Sequence, residues 1–310
     1  MMGGSAAAPA GEKRPAQGMP EGFEAYWRAR AEACAELAAS AAVDSEPVGI
    51  RPEAAECRRI GFTALDGREL AARVLLPKAP GPRPCILTWH DADRGPRGWF
   101  HLARYLAAGY AVVHPEYRPL PRDLFAGWQE GPGAMPAARL VEDALLAAHL
   151  AARLPGVDAS RLMTHGEGLG ALPALAAAAL VPGVAKCAVL NAQPAAVRTA
   201  WERGASGPVY EGVARHFRVD DPCAESADEY FGALGWADAA NFAALLPAGT
   251  ELLDGVCLMD GVAPPAAQLA AFEHAACDKR LVTYPKYGHE RLNDFENRHL
   301  SFMHFGERGT

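Results

Sequence analysis

The spacing of hydrophobic positions changes several times along the chain. Across residues 21–40 the apolar side chains, among them Phe23 and Trp27, recur at helical intervals opposite a polar face. This pattern predicts a helix that docks outside the main sheet. On either side of the Asp66-Gly67 dipeptide, apolar and polar residues alternate instead. Asp-Gly between alternating runs predicts two antiparallel strands joined by a tight turn.

From residue 84 onward, short apolar runs alternate with helical stretches. Alternating strands and helices of this size predict an α/β protein with a doubly wound, mainly parallel sheet and helices on both faces. Between residues 193 and 250 the pattern loosens, and no linker separates this part from the strand that begins near Gly255. These residues are therefore predicted to be helical insertions over the carboxyl end of the sheet.

Length and composition limit the domain organisation. The chain has 310 residues, and 50% of them are hydrophobic, so a large core is available. Residues 1–18 are rich in Gly, Ala and Pro and are predicted to form a disordered arm, with a single domain over residues 19–310. The sequence offers neither the apolar core of a signal peptide nor an uncharged apolar stretch long enough to span a membrane.

Charge and cysteine content exclude several function classes. The net charge of −7, from 37 acidic and 30 basic residues, gives no basic surface for nucleic acid or an anionic membrane. The seven cysteines are widely spaced and include no CxxC pair. We therefore expect reduced thiols, a cytoplasmic location, and neither a metal site nor an organic cofactor.

Residues 166–170 read Gly-Glu-Gly-Leu-Gly between a predicted strand and a predicted helix. In α/β-hydrolases this location holds GxSxG, a sharp turn that lifts a nucleophilic serine above the sheet. Gly166 and Gly170 meet the steric need, but Gly168 supplies no side chain. A dinucleotide-binding loop would instead follow the first strand and be followed by an acidic residue about twenty positions later. Neither condition is met, because residues 186–192 read KCAVLNA.

Several longer segments resemble one family of α/β-hydrolases, the acetyl xylan esterases and cephalosporin C deacetylases. The run VDASRLMTHGEGLGALPALAAAAL aligns without a gap to the family's nucleophile segment. The other similar segments are EGFEAYWR, GWFHLARYLAAGYAVV, ADAANFA, CLMDGVAPP and KRLVTYPKYGHE. The resemblance covers nearly the whole chain from about residue 20.

The resemblance implies the α/β-hydrolase fold and a triad whose acid is Asp260 and whose histidine is His289, with Gly168 at the nucleophile position. This order of nucleophile, acid and histidine is the one that the fold requires. The resemblance also implies a homo-oligomer, typically a hexamer, with small acetylated sugars or related esters as substrates. No cofactor is implied.

The sequence also departs from the family pattern. Gly168 has no hydroxyl for a histidine to deprotonate. Leu169 replaces the family's glutamine, although its N–H can still contribute to an oxyanion hole. Asp91 and Ala92 stand in place of a Gly-Tyr pair that belongs to the active-site wall. A further departure lies at residues 116–119, which read Glu-Tyr-Arg-Pro where Asp-x-Arg-Gly is usual. We therefore expect an ester hydrolase by descent whose activity is lost or severely impaired.

Two alternatives stay open from the sequence. One is a pseudoenzyme that binds an ester, a sugar or a protein partner without turnover. The other is an active hydrolase with rebuilt machinery, in which Asp260 and His289 activate a water in the space left by the serine, or Glu167 takes part. We expect Asp260 and His289 to be hydrogen-bonded, and the N–H of Leu169 to face a cavity. His165 is expected to be packed or hydrogen-bonded near the core.

Overall fold

The computed structural model describes residues 18–41, 43–95 and 98–305. The predicted arm therefore lies outside the described residues, except for Gly18. The strands are β1 (Asp44–Pro47), β2 (Ala55–Thr63), β3 (Glu69–Pro77), β4 (Arg83–Trp89), β5 (Ala111–Pro115), β6 (Val157–Glu167), β7 (Val184–Leu190), β8 (Glu251–Cys257) and β9 (Asp278–Tyr284). The helices are α1 (Phe23–Ser40), α2 (Trp99–Ala107), α3 (Pro136–Ala152), α4 (Ala171–Leu180), α5 (Val197–Glu202), α6 (Glu211–Arg215), α7 (Ala227–Leu234), α8 (Ala239–Ala244), α9 (Pro265–His274) and α10 (Asn293–Phe302).

The described strands form one sheet in the order β1-β2-β3-β5-β4-β6-β7-β8-β9. Strands β4 to β9 run parallel, while β1, β2 and β3 form an antiparallel extension at one edge. The predicted hairpin is confirmed, because β2 and β3 pair from Ala55–Pro77 to Thr63–Glu69 around a turn in which Gly67 has a φ of 80°. A positive φ at this position suits glycine.

Hydrophobic cores lie on both faces of the sheet. One core gathers apolar residues of α1, α3, α4, α8 and α9, and the other gathers residues of α2 and α10. The doubly wound α/β arrangement predicted from the alternating pattern is therefore confirmed. None of the helices in the described ranges is both long and apolar enough to cross a membrane. All seven cysteines fall within those ranges as free thiols, and six of them are buried.

Helix α1 packs outside the sheet, as its one-sided pattern predicts. It lies against α3, and the fully buried Trp27 donates its indole N–H to the carbonyl of Trp236 at 3.0 Å. Phe23 packs edge-on against Phe242, with 5.0 Å between ring centroids. A buried tryptophan usually needs such a partner for its N–H. These contacts attach the helix to the segment between β7 and β8.

The segment between β7 and β8 contains α5 to α8, in agreement with the predicted helical insertions. Part of it lies against the loop that follows β8, where the Ser206 hydroxyl donates to the carbonyl of Gly261 at 3.0 Å and the Ser206 N–H donates to the carbonyl of Val262 at 3.1 Å. Since carboxyl ends of parallel strands meet at one edge of a sheet, this contact puts the insertion beside the loops that carry the candidate residues.

Candidate active site

The turn between β6 and α4 is a tight elbow. Strand β6 ends at Glu167, residues 168–170 form one short helical turn, and α4 begins at Ala171. A Cβ on Gly166 would overlap the backbone of Gly170, so this turn closes only with glycine at its first position. Gly168 has a φ of +55°, a left-handed conformation that side chains rarely adopt. The backbone therefore forms the sharp strand-to-helix turn that the sequence predicts, with a glycine at its centre.

The carboxylate of Asp91 lies beside Gly168, in the space where a side chain would begin. A Cβ built on Gly168 would come closer than 3.0 Å to Oδ1, Cγ and Oδ2 of Asp91. Real Cβ atoms essentially never approach other atoms so closely. Asp91 is only 3% exposed and follows β4, the neighbour of β6 in the sheet. A side chain from an adjacent loop thus fills the space that a side chain on residue 168 would enter.

Three N–H groups from three separate loops hold Oδ1 of Asp91. The backbone N–H of Leu169 donates at 2.9 Å, the backbone N–H of Ala92 at 2.8 Å, and the side-chain amide of Gln193 at 3.1 Å. In α/β-hydrolases, the N–H after the nucleophile and an N–H from the loop after the early strand form the oxyanion hole. Both of these donors are already occupied by a carboxylate of the chain itself.

The other carboxylate oxygen of Asp91 is paired with His289. Nε2 of His289 lies 2.7 Å from Asp91 Oδ2, and Nδ1 lies 2.7 Å from Asp260 Oδ2. Asp260 is fixed in turn by the N–H groups of Val262 and Ala263 and by the side-chain amide of Gln268, at 2.8, 2.9 and 2.8 Å. The imidazole therefore bridges two buried carboxylates.

Both members of the Asp91–His289 pair are held in their charged forms. Burial would lower the pKa of His289, but the hydrogen bonds and charges of Asp260 and Asp91 outweigh burial and raise that pKa from 6.5 to about 9. For Asp91, burial acts to raise the pKa, and the bonds from His289, Leu169 and Ala92 overcome it and lower the pKa. At neutral pH the pair is an imidazolium and a carboxylate, so His289 has no free lone pair with which to accept a proton.

The predicted contact between Asp260 and His289 is confirmed by the 2.7 Å distance. Two other predictions about the site are wrong. The N–H of Leu169 does not face a cavity, because it donates to Asp91, and the space left by the serine does not suit a water, because the same carboxylate fills it. The sequence identified Asp91 only as a departure at the pocket wall, since the direction of its side chain depends on the loop after β4.

Glu167 contacts His165 and Arg94, and neither ring nitrogen of His289 bonds to it. Its carboxylate is 3.6 Å from Nε2 of His165 and 4.0 Å from a guanidinium nitrogen of Arg94, on the sheet face that carries α2 and α10. Both nitrogens of His289 are bonded to other carboxylates. His165 is buried, and its Nδ1 lies 3.0 Å from the carbonyl of Ala188. Its ring packs on the ring of His299, with 4.1 Å between the centroids. The expectation of a packed, hydrogen-bonded histidine is confirmed.

Sequence reasoning missed Gln193. This residue is 1% exposed, follows β7, and bonds Asp91 while its backbone N–H donates to the carbonyl of Gly168 at 3.2 Å. The available signal is a polar Asn-Ala-Gln-Pro run directly after a buried strand, where carboxyl ends of parallel strands converge. Within the described ranges, no group of three or more His, Cys, Asp or Glu side chains could hold a metal ion.

Ala92 borders an open space beside the site. A cavity of about 400 Å³ is lined by Arg73, His90, Ala92, Glu116, Tyr117 and Leu120. Tyr117 donates its hydroxyl to the carbonyl of His90 at 2.7 Å, which fixes the chain directly before Asp91. A small residue at 92 leaves this cavity open next to the segment that carries the buried carboxylate.

Known proteins share both the sequence pattern and the fold. The profile of the acetyl xylan esterase (AXE1) family matches residues 11–120 and 124–305. The chain belongs to the acetyl xylan esterase family. Acetyl xylan esterase 1 from Thermoanaerobacterium sp. JW/SL YS485 is similar at 26% identity and a TM-score of 0.86, over 93% of this chain and 95% of that one. An acetyl xylan esterase from Paenibacillus sp. R4 shares the fold at 22% identity and a TM-score of 0.83, over 94% of this chain and 96% of that one.

The fold extends to more distant hydrolases. A putative dienelactone hydrolase from Klebsiella pneumoniae subsp. pneumoniae MGH 78578 has a TM-score of 0.51 at 19% identity, over 84% of this chain and 98% of that one. The α/β-hydrolase fold and the acetyl xylan esterase family predicted from the sequence are therefore confirmed. In the present chain, Gly168 lies at the elbow and the Asp91 carboxylate accepts the N–H groups of Leu169 and Ala92.

Proposed function

We propose that this protein is an acetyl xylan esterase family member that has lost serine-dependent deacetylation, and that hydrolysis of small acetylated sugars or related esters is its function by descent only. The supporting observation is the position of Asp91. Its carboxylate fills the place of the serine side chain and accepts the N–H groups of Leu169 and Ala92 that an ester carbonyl would need.

Two independent obstacles therefore stand against the esterase reaction. The first is chemical, since no hydroxyl is present at residue 168 to form an acyl-enzyme. The second is steric and electrostatic, because a substrate carbonyl would have to displace a buried carboxylate that accepts three N–H groups and pairs with His289. Loss of a triad member alone typically costs about 10⁴-fold in rate. The second obstacle adds to that loss.

The test measures acetate release from 4-nitrophenyl acetate and from acetylated xylo-oligosaccharides. Wild-type protein is expected to be no faster than His289→Ala. Gly168→Ser alone is expected to stay inactive, because Asp91 occupies the space that the new side chain needs. Gly168→Ser combined with Asp91→Gly is expected to gain activity, and adding Ala92→Tyr and Leu169→Gln to raise it further.

Opposite results would refute the proposal. Rapid wild-type turnover that disappears in His289→Ala would mean that Asp91 leaves the oxyanion hole and that water is activated directly. Turnover that disappears in Glu167→Gln would assign the reaction to Glu167. Homo-oligomer formation and a cytoplasmic location stay predictions, and light scattering of the purified protein tests the first of them.

A further inference from the structure

The two carboxylate oxygens of Asp91 have different partners. One oxygen, Oδ2, carries the hydrogen bond to His289, while the other, Oδ1, is fixed by three N–H donors. Carboxylates of Asp and Glu are established nucleophiles in enzyme catalysis. The two oxygens are thus differentiated, and Oδ1 already sits where the oxyanion of an Asp91 ester would form during hydrolysis.

We propose that Asp91 is a catalytic nucleophile that displaces a halide or similar leaving group from an sp³ carbon, forming an alkyl ester that His289 and water then hydrolyse. In the first step, Oδ2 forms a bond to the carbon and the carbon–halogen bond breaks, releasing halide. In the second, water attacks Cγ of Asp91 and transfers a proton to His289 Nε2. The alcohol then departs with the second proton of that water, and the carboxylate and the protonated His289 are restored. Since His289 must release its resting proton to solvent after the first step, R–X and water give R–OH, X⁻ and H⁺.

An sp³ electrophile fits this site, whereas an acyl group does not. Attack of Oδ2 on an ester carbonyl would build negative charge on the substrate's own oxygen. The N–H groups of Leu169 and Ala92 are already bonded to Oδ1 of Asp91, so that charge would lack its donors. Displacement at an sp³ carbon develops its charge on the leaving group instead. A halide departs as a stable anion and requires no acid.

The alkyl ester intermediate also changes the state of His289. In the resting protein, two carboxylates hold the imidazole in its protonated form. Alkylation of Asp91 removes one of the two negative charges, and the pKa of His289 moves down toward its ordinary value. A neutral imidazole, still oriented by Asp260 at 2.7 Å, can then accept the proton of water. The base is thereby released after the first step and not before it.

The neighbouring cavity suits a short organic group. It is an open pocket of about 400 Å³, lined in part by His90 and Ala92, the residues on either side of Asp91, whereas the Asp91 side chain itself is buried and does not line it. Its lining combines Leu120 and the rings of Tyr117 and His90 with the ion-paired Arg73 and Glu116. Pockets of this size hold small ligands through apolar contact. Small haloalkanes such as 1-bromobutane and 1,2-dibromoethane are therefore suitable probes.

The experiment uses the full chain with Cys223→Ser, since Cys223 is the exposed thiol among its seven cysteines and would react with an alkylating reagent. Bromide release from both probes is measured in water and in H₂¹⁸O. The expected rate is at least about 100-fold above that of Asp91→Asn. Peptide mass spectrometry is expected to detect ¹⁸O in the Asp91 side chain after several turnovers, a readout that needs no variant.

Two further variants separate the steps. His289→Gln is expected to accumulate an alkyl group on Asp91, because the ester forms and cannot be hydrolysed. Asp93→Asn is the matched control, since it makes the same change at a carboxylate two residues away that is 57% exposed, and it is expected to behave as wild type.

Three results would overturn the proposal. Bromide release equal in wild type and Asp91→Asn, with no ¹⁸O in Asp91, would exclude this nucleophile. Alkylation confined to cysteines would have the same meaning. A stable Asp91 ester in the wild-type protein would refute the role of His289 in hydrolysis. The acetate-release assay on the same preparations tests the loss of esterase activity separately, so the two proposals fail independently.

Discussion

The carboxylate of Asp91 fills the space that any side chain at the position of Gly168 would enter. The two positions are 77 residues apart in sequence and belong to the loops after β4 and β6. A change at one therefore has consequences that depend on the residue at the other.

This dependence is measurable as a free energy. Gly168→Ala is expected to lower the free energy of unfolding by about 3 kcal/mol, of which about 1 kcal/mol reflects the positive φ and the rest the overlap with Asp91. In an Asp91→Gly background, the same substitution is expected to cost only about 1 kcal/mol. Urea denaturation of wild type, the two single variants and the double variant gives the coupling free energy between the two positions.

Asp93→Gly serves as the control background for this cycle, since Asp93 carries the same side chain outside the site. There, Gly168→Ala is expected to keep its full cost. Equal costs in all three backgrounds would contradict the overlap between Asp91 and residue 168.

The Asp91–His289 pair predicts a pH dependence. The pKa of His289 is raised from 6.5 to about 9, so its contribution to stability is fully present below pH 6.5 and is lost as pH rises through 9. The contribution is about 3 kcal/mol. The difference in unfolding free energy between wild type and His289→Gln is therefore expected to shrink between pH 6.5 and 9.5 in urea titrations.

An NMR titration of the His289 ring provides the direct check. The midpoint is expected near 9 in wild type and lower in Asp91→Asn, which removes one of the two charges. A midpoint that does not respond to Asp91→Asn would mean that the two side chains are apart in solution.

Asp254, in the middle of β8, predicts a second pH effect, which has the same sign as that of His289 but begins at a lower pH. It is fully buried, and neither of its carboxylate oxygens has a hydrogen-bond partner in the described part of the chain. Burial raises its pKa from 3.8 to about 8. The folded protein therefore holds a proton that the unfolded chain releases, and stability falls as pH rises from about 4 to 8.

Asp254→Asn replaces the ionisable carboxyl group with an amide of nearly the same shape. We expect this variant to match wild type near pH 4 and to exceed it at pH 9 by up to about 5 kcal/mol in the free energy of unfolding. Thermal melts of both proteins across this range provide the measurement. A parallel pH dependence of the two would refute a protonated Asp254.

The elbow itself predicts a severe steric effect at Gly166. A Cβ there would overlap backbone atoms of Gly170 and Ala171, which cannot move without displacing α4. Gly166→Ala is expected to cost at least about 3 kcal/mol or to abolish soluble expression. Gly232→Ala is the matched control, because it lies in α7 with no atom within 4 Å of the new Cβ. That change is expected to stabilise the protein by about 0.5–1 kcal/mol.

The sequence predicted the parts of the molecule that depend on local pattern and motif order. The alternation around Asp66-Gly67 predicted the β2–β3 hairpin, and the order of the elbow, Asp260 and His289 predicted which loops meet. The contact between Asp91 and His289 could not be predicted from the sequence. It joins residues 198 positions apart, and it depends on side-chain directions that no periodicity encodes. Gln193 was missed because a polar run after a strand matches no motif and does not reveal where each side chain points.

The bonds around Asp91 also join the ends of the parallel strands. Asp91 follows β4, Leu169 follows β6, Gln193 follows β7, Asp260 follows β8, and His289 follows β9. Five loops that in an open site could move separately are thus cross-linked through one carboxylate and one imidazole. Local opening of any one of them removes a partner from a buried charge. The amide protons of this edge are therefore expected to exchange with solvent as one cooperative unit, and anything that draws Asp91 away releases all five loops together.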